Sequence, residues 1–113
     1  FEFGEMDMQF TNDGLNEVLN QPGSMWLRNA DLRGADLRGR ILSYAHLGEA
    51  DLRDADLRFA VLIEAKLTLA DLRGADLRYA NLTETDLRYA KYNKFTKWPV
   101  GFFPENSGAD LQE

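Results

Sequence analysis

The sequence predicts an all-β solenoid, in which the chain winds into stacked coils around a narrow apolar core. Two observations lead to this class. A five-residue period runs without a break from residue 25 to residue 94, and apolar and charged residues alternate inside each period. Alternation is typical of β-strands, and a period of five matches neither a helical turn nor a simple strand. A strict internal period is typical of repeat architectures.

Each five-residue unit has a central residue, which is Leu in thirteen of the fourteen units and Tyr92 in the last. Two positions before the centre the residue is Ala in eleven units, and Asp and Arg are the commonest residues on either side of the centre. The order predicts Ala and Leu inside, Asp and Arg outside, and the fifth residue at a corner. Stacked units would then bury a continuous core. We expect this core to include Leu32, Leu37, Leu52, Leu57, Leu72 and Leu77.

These units, of which Ala-Asp-Leu-Arg-Gly at 30–34 and 35–39 are the purest, resemble the pentapeptide-repeat family. The resemblance covers residues 25–94 and implies a right-handed quadrilateral parallel β-helix with four units, or 20 residues, in each coil. Outward residues of one kind do recur at that spacing. They form two charge ladders on one side of the coil, which are Asp31, Asp51 and Asp71 beside Arg33, Arg53 and Arg73.

The charge ladders are expected to act mainly on solubility and register, because a slip of one residue would place Asp and Arg inside the coil. A charged recognition surface is the alternative. Over residues 25–94 there are twelve Lys and Arg against eleven Asp and Glu, so the repeat is nearly neutral although the chain carries a net charge of −6. The acidity therefore lies in the flanks.

The flanks divide the chain into a segment 1–24, the repeat 25–94 and a tail 95–113. In the first segment, Asp13 can cap a short helix with Leu15, Val18 and Leu19 on one face, and Met6, Met8 and Phe10 alternate as in an extra strand. We expect the helix to cap the first coil. The tail resembles that of cyanobacterial members of the family. It is expected to cover the last coil with Phe95, Trp98, Phe102 and Phe103.

The sequence carries no catalytic signature. Cysteine is absent and the one histidine, His46, is expected on the surface between Trp26 and Lys66. Each Asp of an Asp-Leu-Arg unit lies two residues from an Arg, which keeps it ionised and unsuited to general acid catalysis. We therefore predict a protein that is not an enzyme and has no cofactor, no metal site and no small-molecule substrate.

One side of the coil replaces the charged pairs with aliphatic residues. We predict an interaction face there, formed by Ile41, Tyr44, Val61 and Ile63, for a protein partner or for self-association. The predicted function is a non-catalytic structural module for protein–protein contact. The alternative is a DNA-mimicking modulator of gyrase or topoisomerase, as in other family members, but the neutral repeat departs from their acidic rods.

Nucleic-acid binding is not expected, because Asp accompanies nearly every Arg. No apolar run is long enough to span a bilayer, so membrane insertion is not expected either. We expect a soluble cytoplasmic protein. A lumenal or periplasmic location stays open, since the chain begins at Phe1 and a targeting segment could precede it.

Overall fold

The computed structural model describes residues 8–9 and 26–113 of the chain. The backbone winds into a four-sided parallel β-helix, in which each coil pairs with the next through single β-bridges between residues 20 apart, such as Asp31 with Asp51 and Asp51 with Asp71. The predicted period of 20 residues is confirmed. The described body measures 34 × 23 × 22 Å along its principal axes.

The four sides are numbered here by the units that form them. Side 1 carries the units centred on Leu27, Leu47, Leu67 and Leu87, and side 2 those centred on Leu32, Leu52, Leu72 and Tyr92. Side 3 carries the units centred on Leu37, Leu57 and Leu77, and side 4 those centred on Leu42, Leu62 and Leu82.

Most units are held by the same backbone hydrogen bonds. The central residue and the corner residue donate to carbonyls of the next coil, as Leu42 does to Val61 at 2.7 Å and Tyr44 to Ile63 at 3.0 Å. The following Ala then donates back to the central Leu three residues earlier, at 3.1 Å from Ala45 to Leu42. This bond closes a β-turn whose third residue has positive φ, 64° at Tyr44.

Positive φ recurs at thirteen successive corners, from Asn29 to Tyr89, although only three of them are glycines. The left-handed region is unfavourable for residues with a Cβ atom. The ten other corners are therefore held there by the repeated turn and by the stacked coils rather than by their own preference.

The core is a column of alanines and leucines. The leucines Leu32, Leu37, Leu52, Leu57, Leu72 and Leu77 are all buried, with exposed fractions of 0–1%. Ala at the inward position lets adjacent coils approach to strand separation, and the larger Leu fills the space beside it. The described residues leave no buried side-chain nitrogen or oxygen without a hydrogen bond.

Four short strands close the two ends of the coil. Strand β1 (Met8–Gln9) pairs in parallel with β2 (Ala30–Asp31), and β3 (Lys91–Tyr92) pairs in parallel with β4 (Asp110–Leu111). The extra N-terminal strand is confirmed at Met8–Gln9. The predicted capping helix after Asp13 lies outside the described residues and gains no support from them.

The C-terminal end contains one more unit than the sequence period indicates. After Tyr92 the bridge spacing changes from 20 to 21, because Asp76 pairs with Lys97. Thr96 then takes the inward position of Ala, and its hydroxyl donates to the Leu72 carbonyl at 2.8 Å. The division at residues 24 and 94 stays a prediction, but the ladder of bridges itself crosses residue 94.

The aromatic tail covers the last coil only in part. Trp98 and Phe102 pack against the core, with Trp98 edge-on to Tyr92 at 5.6 Å between ring centroids. Phe95 and Phe103 are exposed, so the prediction that all four aromatics form the cover is wrong for these two. A 3-10 helix, η1 (Pro104–Asn106), leads from this cover to β4. The described residues form no helix long and apolar enough to cross a membrane.

Candidate interaction surface

Sides 2 and 3 carry the charge ladders, and their geometry is uniform. The Arg33 guanidinium donates to both carboxylate oxygens of Asp31, at 2.8 Å from Nε and 2.6 Å from Nη2. The backbone N–H of Arg33 donates to the same carboxylate at 3.3 Å. Arg33 Nε also lies 3.8 Å from Asp51 of the next coil. The bonds within the unit are repeated at Asp51, Asp71, Arg53 and Arg73, and on side 3 at Asp36, Asp56, Asp76, Arg38, Arg58 and Arg78. The approach to the next coil is repeated at Arg38, Arg53 and Arg58.

The arginines hold these carboxylates in the ionised form. The hydrogen bond from Arg38 lowers the pKa of Asp36 to about 2, and that from Arg53 lowers the pKa of Asp51. Burial acts in the opposite direction at Asp71, where it is the largest influence, yet the pKa is still lowered because the bonds from Arg73 oppose it. Each ladder arginine is thus already paired within its own unit, and the two sides are close to neutral.

Side 1 has no continuous ladder. The Trp26 and His46 rings stack with their centroids 4.1 Å apart and their planes 3° apart. Burial lowers the pKa of His46, and the charges of Lys66 and Arg28 lower it further. His46 is therefore held neutral against Trp26, on a partly exposed surface that offers it no carboxylate partner among the described residues.

Side 4 carries the predicted interaction face. Ile41 bridges to Val61, and Val61 bridges to Asn81, so the three outward positions form one column. Ile41 is 65% exposed and Tyr44, at the corner that follows, is 53% exposed. Val61 and Ile63 are half-buried. We refer to Ile41, Tyr44, Val61 and Ile63 together as the aliphatic face.

Two aromatic residues border the aliphatic face. The sequence alone does not assign them to it. Phe59 and Tyr79 lie at the corner that immediately precedes side 4, are 60% and 67% exposed, and stack at 4.8 Å with an interplanar angle of 11°. Their order along the chain is the signal that could have found them, since Phe59 comes two residues before Val61. The apolar surface therefore extends from one corner across side 4 to the next.

No metal-binding cluster accompanies this surface among the described residues. Within residues 8–9 and 26–113, no group of three or more histidine or acidic side chains is placed to hold a metal ion. The surface offers apolar area, aromatic rings and flanking charges.

Two solved structures of cyanobacterial proteins are similar to the chain. A pentapeptide repeat protein from Nostoc PCC 7120 is 28% identical, with a TM-score of 0.48 over 95% of this chain and 99% of that one. The pentapeptide repeat protein Rfr23 from Cyanothece 51142 is 35% identical, with a TM-score of 0.31 over 66% of this chain and 53% of that one. No curated protein matches significantly.

Family membership rests on the sequence profile and on the repeat geometry. The profile described as "Pentapeptide repeats (8 copies)" matches residues 30–68 and 55–91, which together make up more than half of the chain. The same residues form the coils with the period of 20 described above. The chain belongs to the pentapeptide-repeat family and has its right-handed quadrilateral β-helix fold.

Proposed function

We propose that the protein is a non-catalytic binding module that holds a protein partner, or a second copy of itself, on the aliphatic face. The observation that carries this proposal is the replacement of charged pairs by exposed aliphatic residues on side 4 alone. Burial of such surface is favourable at about 25 cal/mol per Å² of apolar area. Three branched side chains, bordered by Phe59 and Tyr79, form an apolar patch of the kind that marks contact sites.

The charged sides are poorer candidates for contact. Each ladder carboxylate on these sides already accepts two hydrogen bonds from the guanidinium of its own unit and one from the backbone. A partner would have to remove water from these paired charges and could offer few new bonds in return. Side 4 has no such cost, since none of the four residues of the aliphatic face is charged.

The alternative of a DNA mimic has less support from the geometry. A mimic of duplex DNA needs an uncompensated row of negative charge, because the phosphates of DNA are what such partners recognise. On sides 2 and 3, each Asp of an Asp-Leu-Arg unit is bound by an Arg, so neither side presents such a row. A gyrase supercoiling assay tests this alternative directly.

The experiment that tests the proposal compares two aspartate substitutions. Ile63→Asp places a charge within the aliphatic face, and Val100→Asp places the same charge on a fully exposed aliphatic residue of the tail. Partner capture by photo-crosslinking in an extract of the source organism, and self-association by sedimentation velocity, should be lost in the first variant and kept in the second.

Because Ile63 is half-buried, a further variant separates loss of binding from loss of fold. Ile41→Asp changes the most exposed member of the face, and its melting temperature should stay near that of the parent. If both Ile41→Asp and Ile63→Asp remain folded and bind whatever the parent binds, the aliphatic face is not the binding surface.

A further inference from the structure

One corner of the coil contains an unfinished stack of aromatic rings. The corner between sides 3 and 4 is occupied by Gly39, Phe59 and Tyr79 in successive coils. The rings of Phe59 and Tyr79 stack in nearly parallel planes, 4.8 Å apart. Gly39 lies next in the column, and a Cβ atom built on it would meet no atom within 4 Å. Tyr79 thus covers one side of the Phe59 ring, and the other side has space for a third ring.

A groove surrounds this space. It has a volume of about 480 Å³ and is lined by Asp36, Arg38, Gly39, Arg40, Arg58 and Phe59. Binding pockets for small groups have similar volumes. Of the three arginines in the lining, Arg38 and Arg58 are bound by Asp36 and Asp56 of their own units, so Arg40 supplies a surplus of one positive charge. We call this space the Gly39 groove.

The backbone at this corner favours glycine, yet only one of the three residues is glycine. The φ angles of Phe59 and Tyr79 are 62° and 66°, in the left-handed region, and Gly39 has nearly the same φ of 67°. Glycine occupies that region without steric cost, whereas an aromatic residue does not. The repeated turn, which imposes positive φ on every corner from Asn29 to Tyr89, holds the two rings at this position.

We propose that the Gly39 groove receives an aromatic side chain of a protein partner, flanked by carboxylates, which stacks on Phe59 as the third ring of the column. This rests on the proposed function, because the groove borders the aliphatic face through the sequence Phe59-Ala60-Val61. Aromatic pairs attract at centroid separations of about 4.5–7 Å, which the column already provides. The surplus positive charge attracts the flanking carboxylates and contributes cation–π contact with the inserted ring.

The test uses the full chain and three short blocked peptides, followed by two-dimensional NMR titration. The sequence Glu-Trp-Glu should bind, with shifts confined to residues around Gly39 and Phe59. Glu-Leu-Glu lacks the ring and Lys-Trp-Lys reverses the flanking charge. Each should bind at least about tenfold more weakly, because each loses one of the two attractions.

Two matched tyrosine substitutions locate the site. Gly39→Tyr completes the column with the protein's own ring and should weaken Glu-Trp-Glu binding by about tenfold or more. Gly34→Tyr is the control, since Gly34 has φ of 64° and equally open space at a different corner, and it should leave binding unchanged. Circular dichroism melting shows that both variants are folded.

Phe59→Leu keeps the apolar character of the corner but removes the ring, and it should weaken Glu-Trp-Glu binding relative to Glu-Leu-Glu binding. Equal affinity for all three peptides, or binding to the Gly39→Tyr variant as tight as to the parent, would overturn the groove proposal. Loss of partner capture on Ile63→Asp is read separately, so the aliphatic face could stand while the Gly39 groove fails.

Discussion

Sides 3 and 4 of the coil share one backbone and one core, yet they present opposite surfaces. Side 3 places Asp56 and Arg58 around the buried Leu57, and the two charges bind one another at 2.7–2.9 Å. Side 4 places Val61 and Ile63 around the buried Leu62, where no ion pair forms. Under the proposed function, the coil therefore separates stability from recognition, because the inward residues repeat while the outward residues are free to differ.

The comparison also shows why charge alone is a poor guide to a binding surface in this fold. Side 3 is rich in charge, but that charge is satisfied within each unit and between adjacent coils, as in the 3.9 Å approach of Arg58 to Asp76. Side 4 is poor in charge, and it exposes Ile41 and, at the corner that follows, Tyr44. Side 4 makes fewer polar contacts within the chain, so its side chains would lose fewer of them when a partner covers it.

The largest loss of stability should come from substitutions in the core. Equivalent substitutions under sides 3 and 4 should reduce the free energy of unfolding equally. Leu57→Ala and Leu62→Ala should each reduce the free energy of unfolding by about 2–5 kcal/mol, because the stacked coils cannot close around the cavity. Urea denaturation measures both values. A much smaller loss at Leu62 would show that the core is looser under the aliphatic face, and the separation of stability from recognition would no longer hold.

The next effect is specific to the charged sides and depends on pH. The pKa of Asp36 is lowered to about 2, so its stabilising contribution is complete above its ordinary pKa near 3.8 and is lost as the pH falls toward 2. Asp36→Asn should therefore be less stable than the parent at neutral pH, and the two should converge at low pH. Urea denaturation from pH 7 to pH 2 measures the difference.

Asp54→Asn is the matched control for this titration, because Asp54 makes no ion pair with a described residue. It removes an acidic side chain that lies outside the ladders, so a pH dependence that Asp36→Asn shows and Asp54→Asn does not is assigned to the ladder. A constant difference between Asp36→Asn and the parent at every pH would mean that the ladder does not stabilise the fold through ionised carboxylates.

A smaller change in stability, with a large change in binding, should follow from converting side 4 into side 3. The double substitution Val61→Asp with Ile63→Arg turns that unit into Ala-Asp-Leu-Arg-Glu, which matches the charged units of this chain. The free energy of unfolding should stay within about 1 kcal/mol of the parent, since both positions are on the surface. Partner capture or self-association should disappear. A folded double variant that still binds would move the binding surface elsewhere.

The smallest effect should be found on side 1. The single histidine, His46, should titrate with a midpoint below its ordinary pKa of 6.5, as followed by its NMR signals. The stability that neutral His46 contributes is complete above that ordinary value and is lost as the pH falls through the lowered pKa. Lys66→Gln should raise the midpoint because it removes a neighbouring positive charge. An unchanged midpoint would attribute the lowered pKa to burial and to Arg28.

The regular part of the fold could be predicted from the sequence because inward and outward positions alternate without interruption from residue 25 to 94. The last unit could not, because one extra residue after Tyr92 moves Thr96 and Trp98 out of the five-residue frame. A weaker signal was present. Thr85 occupies the inward position two units earlier, and its hydroxyl donates to a core carbonyl in the same way, at 2.7 Å to Leu62.

The residues of the candidate surface could be predicted where they lie on one side of the coil. Those that lie at a neighbouring corner could not. Val61 and Ile63 are assigned to one face by their place in the unit, but the approach of Phe59 to that face depends on where the turn directs its side chain. The open space at Gly39 is a property of three residues in different coils. Such a space cannot be inferred from composition, because glycine also occupies other corners of the same coil.

The constant spacing of the backbone bonds has a mechanical consequence. Within the regular repeat, bonds between coils join residues 19 to 21 positions apart, such as Leu57 with Asp76 and Asp76 with Ala55. Each added coil therefore closes a loop of the same length at the same entropic cost, whatever the number of coils already formed. A chain pulled from its ends would peel away coil by coil, and each coil would release roughly 65 Å of extended chain.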